Sequence, residues 1–300
     1  MHVMNHTFKI LALLCLSAVA SYGQAIVLKD GTRVPADDFR VEDGKIIRTM
    51  RIQGDKTATT SVTEAQIGML DWPEPTQLID ARSLMAQGKT AEAITTLKDG
   101  VDFFTPFQKV KGGELRYTEV FFAYVDALNQ GKQFEETVKQ MRQLDGLPLS
   151  EGQKLKLKVI KLDVERQTSS DYGSILAQAD NILGSTDDSG ISAAVWNIKA
   201  EIFAKKKEWE QAMMAYLRIP VLFGTQMDRV PDAELNAARM LVKMKRYEDA
   251  SQFFTRLVDQ YPGSAVAEAA GKEKAAINGM KNQDQEVAPA EDSKDKPAQS

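Results

Sequence analysis

From Ala25 to Trp72 apolar and polar residues alternate with a period of two, the signature of short, half-buried strands. Ala25–Leu28 runs into Asp30-Gly31 and Phe39–Glu42 into Asp43-Gly44. Each Asp-Gly supplies the positive backbone angles that a tight hairpin turn requires. Lys45–Met50, Thr57–Val62 and Ile67–Leu70 continue the series, so about five strands, arranged as a small meander or barrel, are predicted over residues 24–72. A module of this size buries little surface alone and is expected to dock on the C-terminal remainder of the chain. Trp72-Pro73-Glu74-Pro75 then breaks the alternation, because two prolines in three residues cannot extend a ladder. Residues 73–76 read as a rigid linker.

Beyond Thr76 the apolar period changes to about 3.6 residues and holds through residues 77–280. Two segments align at a spacing of 38 residues: Ala200, Phe203, Trp209, Ala212, Tyr216 and Ile219 match Ala238, Leu241, Tyr247, Ala250, Phe254 and Leu257. Pro262 closes the second copy. The same slots recur more loosely upstream. A first hairpin, residues 77–104, carries Ala81, Leu84, Ala93 and Leu97 around a Gly88-Lys89 turn. A second, 114–144, aligns Leu115, Phe121, Phe122, Val125 and Leu128. A third, 151–183, places Tyr172, Ile175, Ala179 and Ile182 in the second-helix slots. A final helix over 264–280 shows the small residues Ala267, Ala270 and Ala276. Residues 281–300 have no aromatics and too little apolar surface to offset the entropy of ordering, so a disordered tail is predicted there.

Periodic units of this length mean stacked helical hairpins, and residues 77–262 resemble a tetratricopeptide-repeat array. The slots have a physical reason. Antiparallel helices cross closely only where side chains are small, so Ala81, Ala200 and Ala238 oppose Ala93, Ala212 and Ala250, while Leu84, Phe203, Leu241, Leu97, Tyr216 and Phe254 fill the space between hairpins. The family's first-helix Leu-Gly pair is replaced here: Asp80, Lys199 and Ala237 stand in the Leu slot and alanine in the Gly slot. Repeat length also drifts from the family's roughly 34 residues. The expectation is a mainly all-α chain: an irregular, tetratricopeptide-like α-solenoid of about five hairpins behind a small N-terminal β-module. In such arrays partner peptides lie against the first helices. Carried over slot by slot, that face comprises Arg82, Met85, Asn197, Glu201, Arg239 and Val242.

Composition adds a compartment. Lys9 precedes an apolar run, Ile10–Ala20, of signal-peptide length and too short to span a bilayer. Cleavage after Ala20 or Gly23 is expected, with residues 1–23 the preferred leader. Its loss removes Cys15, the single cysteine, together with His2 and His6, the only histidines. The exported chain then builds no disulfide, no Cys/His metal site and no Ser-His-Asp triad. A net charge of −4 argues against nucleic acid as partner.

Candidate chemistry is thin. Gly88-Lys89-Thr90 resembles the end of a phosphate-binding loop, but Ser83 stands where that loop's first glycine belongs. Lys154, Lys156, Lys158 and Lys161 spread around a helix rather than forming a stripe, and Lys205-Lys206-Lys207 reads as a solvated face. Trp72, Trp196 and Trp209 fall at linker and core slots. Carboxylate pairs are the remaining enzymatic route, and none sits in an apolar, aromatic-rich setting.

The sequence therefore predicts a non-enzymatic, cofactor-free interaction scaffold, periplasmic or secreted, without stable membrane insertion once its leader is removed. It is similar to periplasmic tetratricopeptide proteins that coordinate outer-membrane or cell-wall machinery, the segment Tyr261-Pro262-Gly263-Ser264-Ala265 before an alanine-rich helix being typical of them. That likeness implies envelope proteins or peptide segments as partners. Two alternatives stand beside it: a glycan-binding or carboxylate-dependent glycan-cleaving protein, and a self-assembling structural protein, that is, a homo-oligomer.

Overall fold

The computed structural model describes residues 24–52 and 56–283. Two compact units divide the chain, one ending at Lys154 and the other beginning at Leu155. The expected leader, 1–23, lies outside the described residues, as do residues 284–300 of the expected tail.

In the first unit the strands are β1 (Ala25–Leu28), β2 (Arg33–Pro35), β3 (Phe39–Glu42), β4 (Lys45–Arg51), β5 (Thr57–Val62) and β6 (Ile67–Asp71). The expected five-strand meander is corrected on two points. There are six strands among the described residues, and they form two three-stranded antiparallel sheets, β2-β1-β6 and β3-β4-β5. In the first sheet Ile26 stands opposite both Val34 and Leu70, so the chain leaves β1, visits the second sheet and returns to β1's other side. Strand β2 buries only Val34 of its three residues, too short a pattern for alternation to reveal.

The module docks on the helices C-terminal to it. Phe39 lies 6.2 Å from both Trp72 and Phe103 and 6.4 Å from Phe107, and Trp72 packs 5.2 Å from Phe103 and 5.9 Å from Phe104. The Leu70 N–H donates to the Lys111 carbonyl at 2.8 Å, and Arg116 Nε donates to the Trp72 carbonyl at 3.0 Å. Gly112 makes this approach feasible: its φ is +81°, and a Cβ there would fall 2.4 Å from the Leu70 carbonyl oxygen. Helices α1 (Thr76–Ala86), α2 (Thr90–Phe104), α3 (Gly113–Gln130) and α4 (Phe134–Leu144) complete the unit as two hairpins. Ala81 and Ala93 are buried at the α1–α2 crossing. Phe121, Phe122, Val125 and Leu128 are buried as the pattern requires, whereas Leu115 is exposed, on the flank of the stripe.

The second unit contains nearly all of α5 (Glu151–Thr168), then α6 (Tyr172–Leu183), α7 (Ser189–Lys205), α8 (Trp209–Leu222), α9 (Val230–Lys243), α10 (Tyr247–Gln260) and α11 (Ala265–Ala276). Ala200 and Ala212 share one fully buried cluster, and Ala238 and Ala250 another with Leu241, Phe254, Leu257 and Ala270. The small-residue slots do set the crossings. Helix α5 carries no alanine, and α5 and α6 approach less closely than the members of the other hairpins, meeting through Val159, Leu162, Ile175, Ala179 and Ile182 against α7. The repeats are tetratricopeptide-like but irregular for that reason.

One turn slot repeats in four of the five hairpins, the α5–α6 turn being the exception. Gly88, Lys132, Lys207 and Lys245, each two residues before a second helix, all have positive φ. The first described residues of the expected tail do not hang free. Asn282 Oδ1 accepts from the Glu248 N–H at 2.8 Å and the Gln283 N–H donates to the Lys245 carbonyl at 3.2 Å, so residues beyond α11 cap the start of α10.

Candidate functional site

The six residues expected on the first-helix face fall in different units. Arg82 and Met85 belong to the first: Arg82 is exposed and ion-paired with Glu74, and Met85 is half-buried. The second unit holds Asn197, Glu201, Arg239 and Val242, and there the face is already engaged. Asn197 Nδ2 donates to Glu201 Oε1 at 3.0 Å, and Glu201 is also ion-paired with Arg166. Arg239 grips Glu273 with two nitrogens, Nη2 at 2.6 Å and Nε at 2.9 Å, and donates to Asn236 Oδ1 at 2.9 Å. Val242 packs into the cluster beneath α11.

These contacts form two ion pairs, Arg166–Glu201 and Arg239–Glu273, whose four members make one alternating series, here called the ladder. Arg166 on α5, Glu201 on α7, Arg239 on α9 and Glu273 on α11 recur at spacings of 35, 38 and 34 residues, one charge per repeat with the sign inverting each time. Arg166, only 4% exposed, is the deepest member, and its Nε donates to Asp163 Oδ1 at 2.8 Å. Lys205 Nζ covers the Arg166 carbonyl at 2.9 Å, and burial together with the nearby guanidinium holds that ammonium below its usual range. Tyr216 on α8 lies against the ladder. Burial first, and then the Glu201 charge, push its phenol well above the ordinary value, while Arg166 and Arg239 pull the other way. A first-helix face that pairs its own charges ties α5 to α7 and α9 to α11 and leaves few charges for a ligand.

An opening lies elsewhere in this unit, between the second helices. Met213 and Leu217 of α8, Leu241 of α9 and Asp249, Gln252 and Phe253 of α10, with Arg246 of the intervening turn, line a cleft of about 200 Å³. Its floor is apolar, and its rim carries the Arg246–Asp249 pair, Nε to Oδ2 at 2.8 Å. Arg256 lies 4.6 Å from the Phe253 ring centroid. Met214, Leu217 and Val221 recur at three- and four-residue spacing on one face of α8, and Met214 and Val221 are exposed. Apart from Leu241, a repeat-slot residue, the sequence pattern marks none of these positions as a site. The signal it does hold is surplus: α8 needs Trp209, Ala212, Tyr216 and Ile219 for its slots, and α10 needs Phe254, so Met213, Met214, Leu217 and Phe253 are apolar residues beyond what the repeat consumes.

Other candidates resolve into architecture. Gly88-Lys89-Thr90 is the α1–α2 turn. Lys154 pairs with Glu151, Lys206 with Glu208, and Lys156 and Lys161 also have partners. Trp196 carries Arg218 Cζ at 4.0 Å and Lys199 Nζ at 4.7 Å over its ring, so cations occupy the surface a sugar would stack on. Among the described residues no group of three or more His, Cys, Asp or Glu side chains is placed to hold a metal ion, and no helix is long and apolar enough to cross a membrane.

Comparison with known families agrees with the best-formed part of the array. A tetratricopeptide-repeat family model matches residues 232–264, which span α9, α10 and the turn into α11. No curated protein matches the chain.

Proposed function

We propose that this chain is a non-catalytic scaffold that holds partner proteins through its helical repeats, and that a partner segment seats an apolar side chain in the α8–α10 cleft. The observation that carries this is the contrast within the second unit. The first-helix face satisfies its own charges through Arg166–Glu201 and Arg239–Glu273, whereas the cleft offers Met213, Leu217 and Phe253 with a two-signed rim. An apolar floor with a polar rim is the anatomy of a protein-binding patch, and methionines adapt to more than one shape of guest. The repeat itself supports protein partners as the class.

In this proposal the scaffold works in a cell envelope, periplasmic or secreted, after residues 1–23 are removed. The support for export is Lys9 followed by the apolar run Ile10–Ala20. The mass of the chain recovered from its native cells checks this, with a start at Gln24 expected and an intact Met1 contradicting it.

The cleft is tested by replacement of Gln252, an exposed wall residue. Gln252→Trp fills the space without entering the core, and Leu217→Asp puts a charge on the floor. Proteins held by wild-type chain from its own cells are identified by mass spectrometry. Loss of the same protein with both variants, at unchanged melting temperature for Gln252→Trp, is the expected outcome. Retention of that protein by both variants would remove the cleft from the proposal.

A further inference from the structure

The four outer strands of the two sheets are not equally protected. Strand β2 is three residues long and carries Arg33 and Pro35. Strand β6 is covered, with the Leu70 N–H bonded to Lys111. Strand β3 carries the Arg40–Glu42 pair. These are the usual defences against edge-to-edge pairing: short length, proline, charge or cover. Strand β5 has none. Its six residues, Thr57-Ala58-Thr59-Thr60-Ser61-Val62, are uncharged and free of proline, and all but Ala58 and Val62 are exposed. It pairs with β4 along its length, and no hydrogen bond among the described residues reaches the backbone groups that point away from β4. The free edge has defined ends. At one, Thr63 and Gln66 form a capping box in which the Thr63 N–H donates to Gln66 Oε1 at 2.8 Å. At the other, Lys56 returns its carbonyl to the Ile52 N–H at 2.8 Å.

We propose that this edge pairs antiparallel with β5 of a second copy of the chain, about a two-fold axis through Thr60. Two constraints select the occupant and the register. Side chains directly opposite in antiparallel strands share a face, so the face of β5 that carries the half-buried Ala58 and the buried Val62, with the exposed Thr60 between them, must meet its own counterpart. That excludes every register in which an odd position faces an even one. Of those left, pairing through Thr60 sets Ala58 against Val62, Thr59 against Ser61 and Thr57 against Thr63, all but Ala58 being β-branched or hydroxyl residues suited to the sheet. Beyond the strand's ends it also brings Lys56, just before β5, towards Glu64, the first residue of the 3-10 turn that follows. Both are exposed, neither has an ion-pair partner among the described residues, and they carry opposite charge at the two ends of the same free edge. A strand whose end charges complement each other when it meets itself fits a second copy better than an arbitrary guest. The contact is small, so the dimer dissociates on dilution.

Sedimentation of the full chain over a wide concentration series tests this. The expected mass rises from monomer to dimer with concentration. Thr60→Lys, an exposed position, brings two ammonium groups together on the axis and is expected to weaken the dimer at least tenfold with an unchanged far-ultraviolet spectrum. Lys56→Glu and Glu64→Lys each weaken it, and the two together in one chain restore it, because the swap recreates the pairing in the opposite sense. A chain that stays monomeric at every concentration, a dimer indifferent to Thr60→Lys, or a charge swap that fails to restore association would each overturn the proposal.

Discussion

Lys132, Lys207 and Lys245 occupy the left-handed backbone region in the slot that Gly88 fills in the first hairpin. A side chain there costs on the order of 1–2 kcal/mol, whereas glycine's extra entropy in the unfolded chain costs about 0.5–1. The difference favours glycine, so Lys207→Gly is expected to raise unfolding free energy by up to about 1 kcal/mol in urea titration, and Gly88→Ala to lower it by about as much. The ladder offers a second contrast. Arg166 is almost fully buried between Asp163 and Glu201, and its loss strands two carboxylates, so Arg166→Ala is expected to cost about 3–5 kcal/mol. Arg239 makes the better-formed bridge, yet its side chain is 41% exposed, and Arg239→Ala is expected to cost about 1 kcal/mol or less. Tyr216 adds a pH dependence. Its folded-state value lies above the unfolded value near 10, so its contribution is complete below that pH and is lost as the unfolded phenol ionises above it. Alkaline unfolding should therefore steepen by up to about 1.4 kcal/mol per pH unit from this residue. Tyr216→Phe, followed by denaturant titration between pH 9 and 11, should flatten the slope by that share.

At the level of elements, the hairpins hold because alanines at their crossings let backbones meet. Ala212 and Ala250 are fully buried there, and Ala250→Leu is expected to cost about 1–3 kcal/mol by overpacking. The β-module is held by a close backbone approach, so Gly112→Ala, which adds positive-φ strain and a clash with the Leu70 carbonyl, is expected to cost about 2–3 kcal/mol. These elements were legible in the sequence because each is written locally: strands β1, β3 and β5 have the bounds their pattern gives, and the alanine and bulky slots mark the fourth and fifth hairpins clearly, the first fairly and the second and third only weakly. Sheet order was not legible, since nothing local in Ala25–Leu28 says that Leu70 will lie beside Ile26. The site was legible only in class. Carrying a binding face over by slot found Glu201 and Arg239, but whether a charge is free depends on its tertiary partners, and those are Arg166 and Glu273, 35 and 34 residues away. The cleft went unseen because its residues look like core. A pattern of apolar positions does not separate a methionine that fills a gap from one that leaves a gap open.

On the scale of the whole chain, the residues that hold it together and those proposed for partners overlap only in part: Leu241 belongs to both. Repeat slots, ladder and capping helix are consumed by architecture. Among the described residues the α8–α10 cleft in one unit and the uncharged β5 edge in the other stay open, the first proposed for a partner segment and the second for another copy. The most direct measurement places a photo-crosslinking residue at Gln252, on the wall of the cleft, in cells that make the protein. A discrete protein adduct at that position, absent when Leu217 is changed to Asp, is the expected result. No adduct at Gln252, with strong capture by the same probe at Asn197 on the first-helix face, would contradict it.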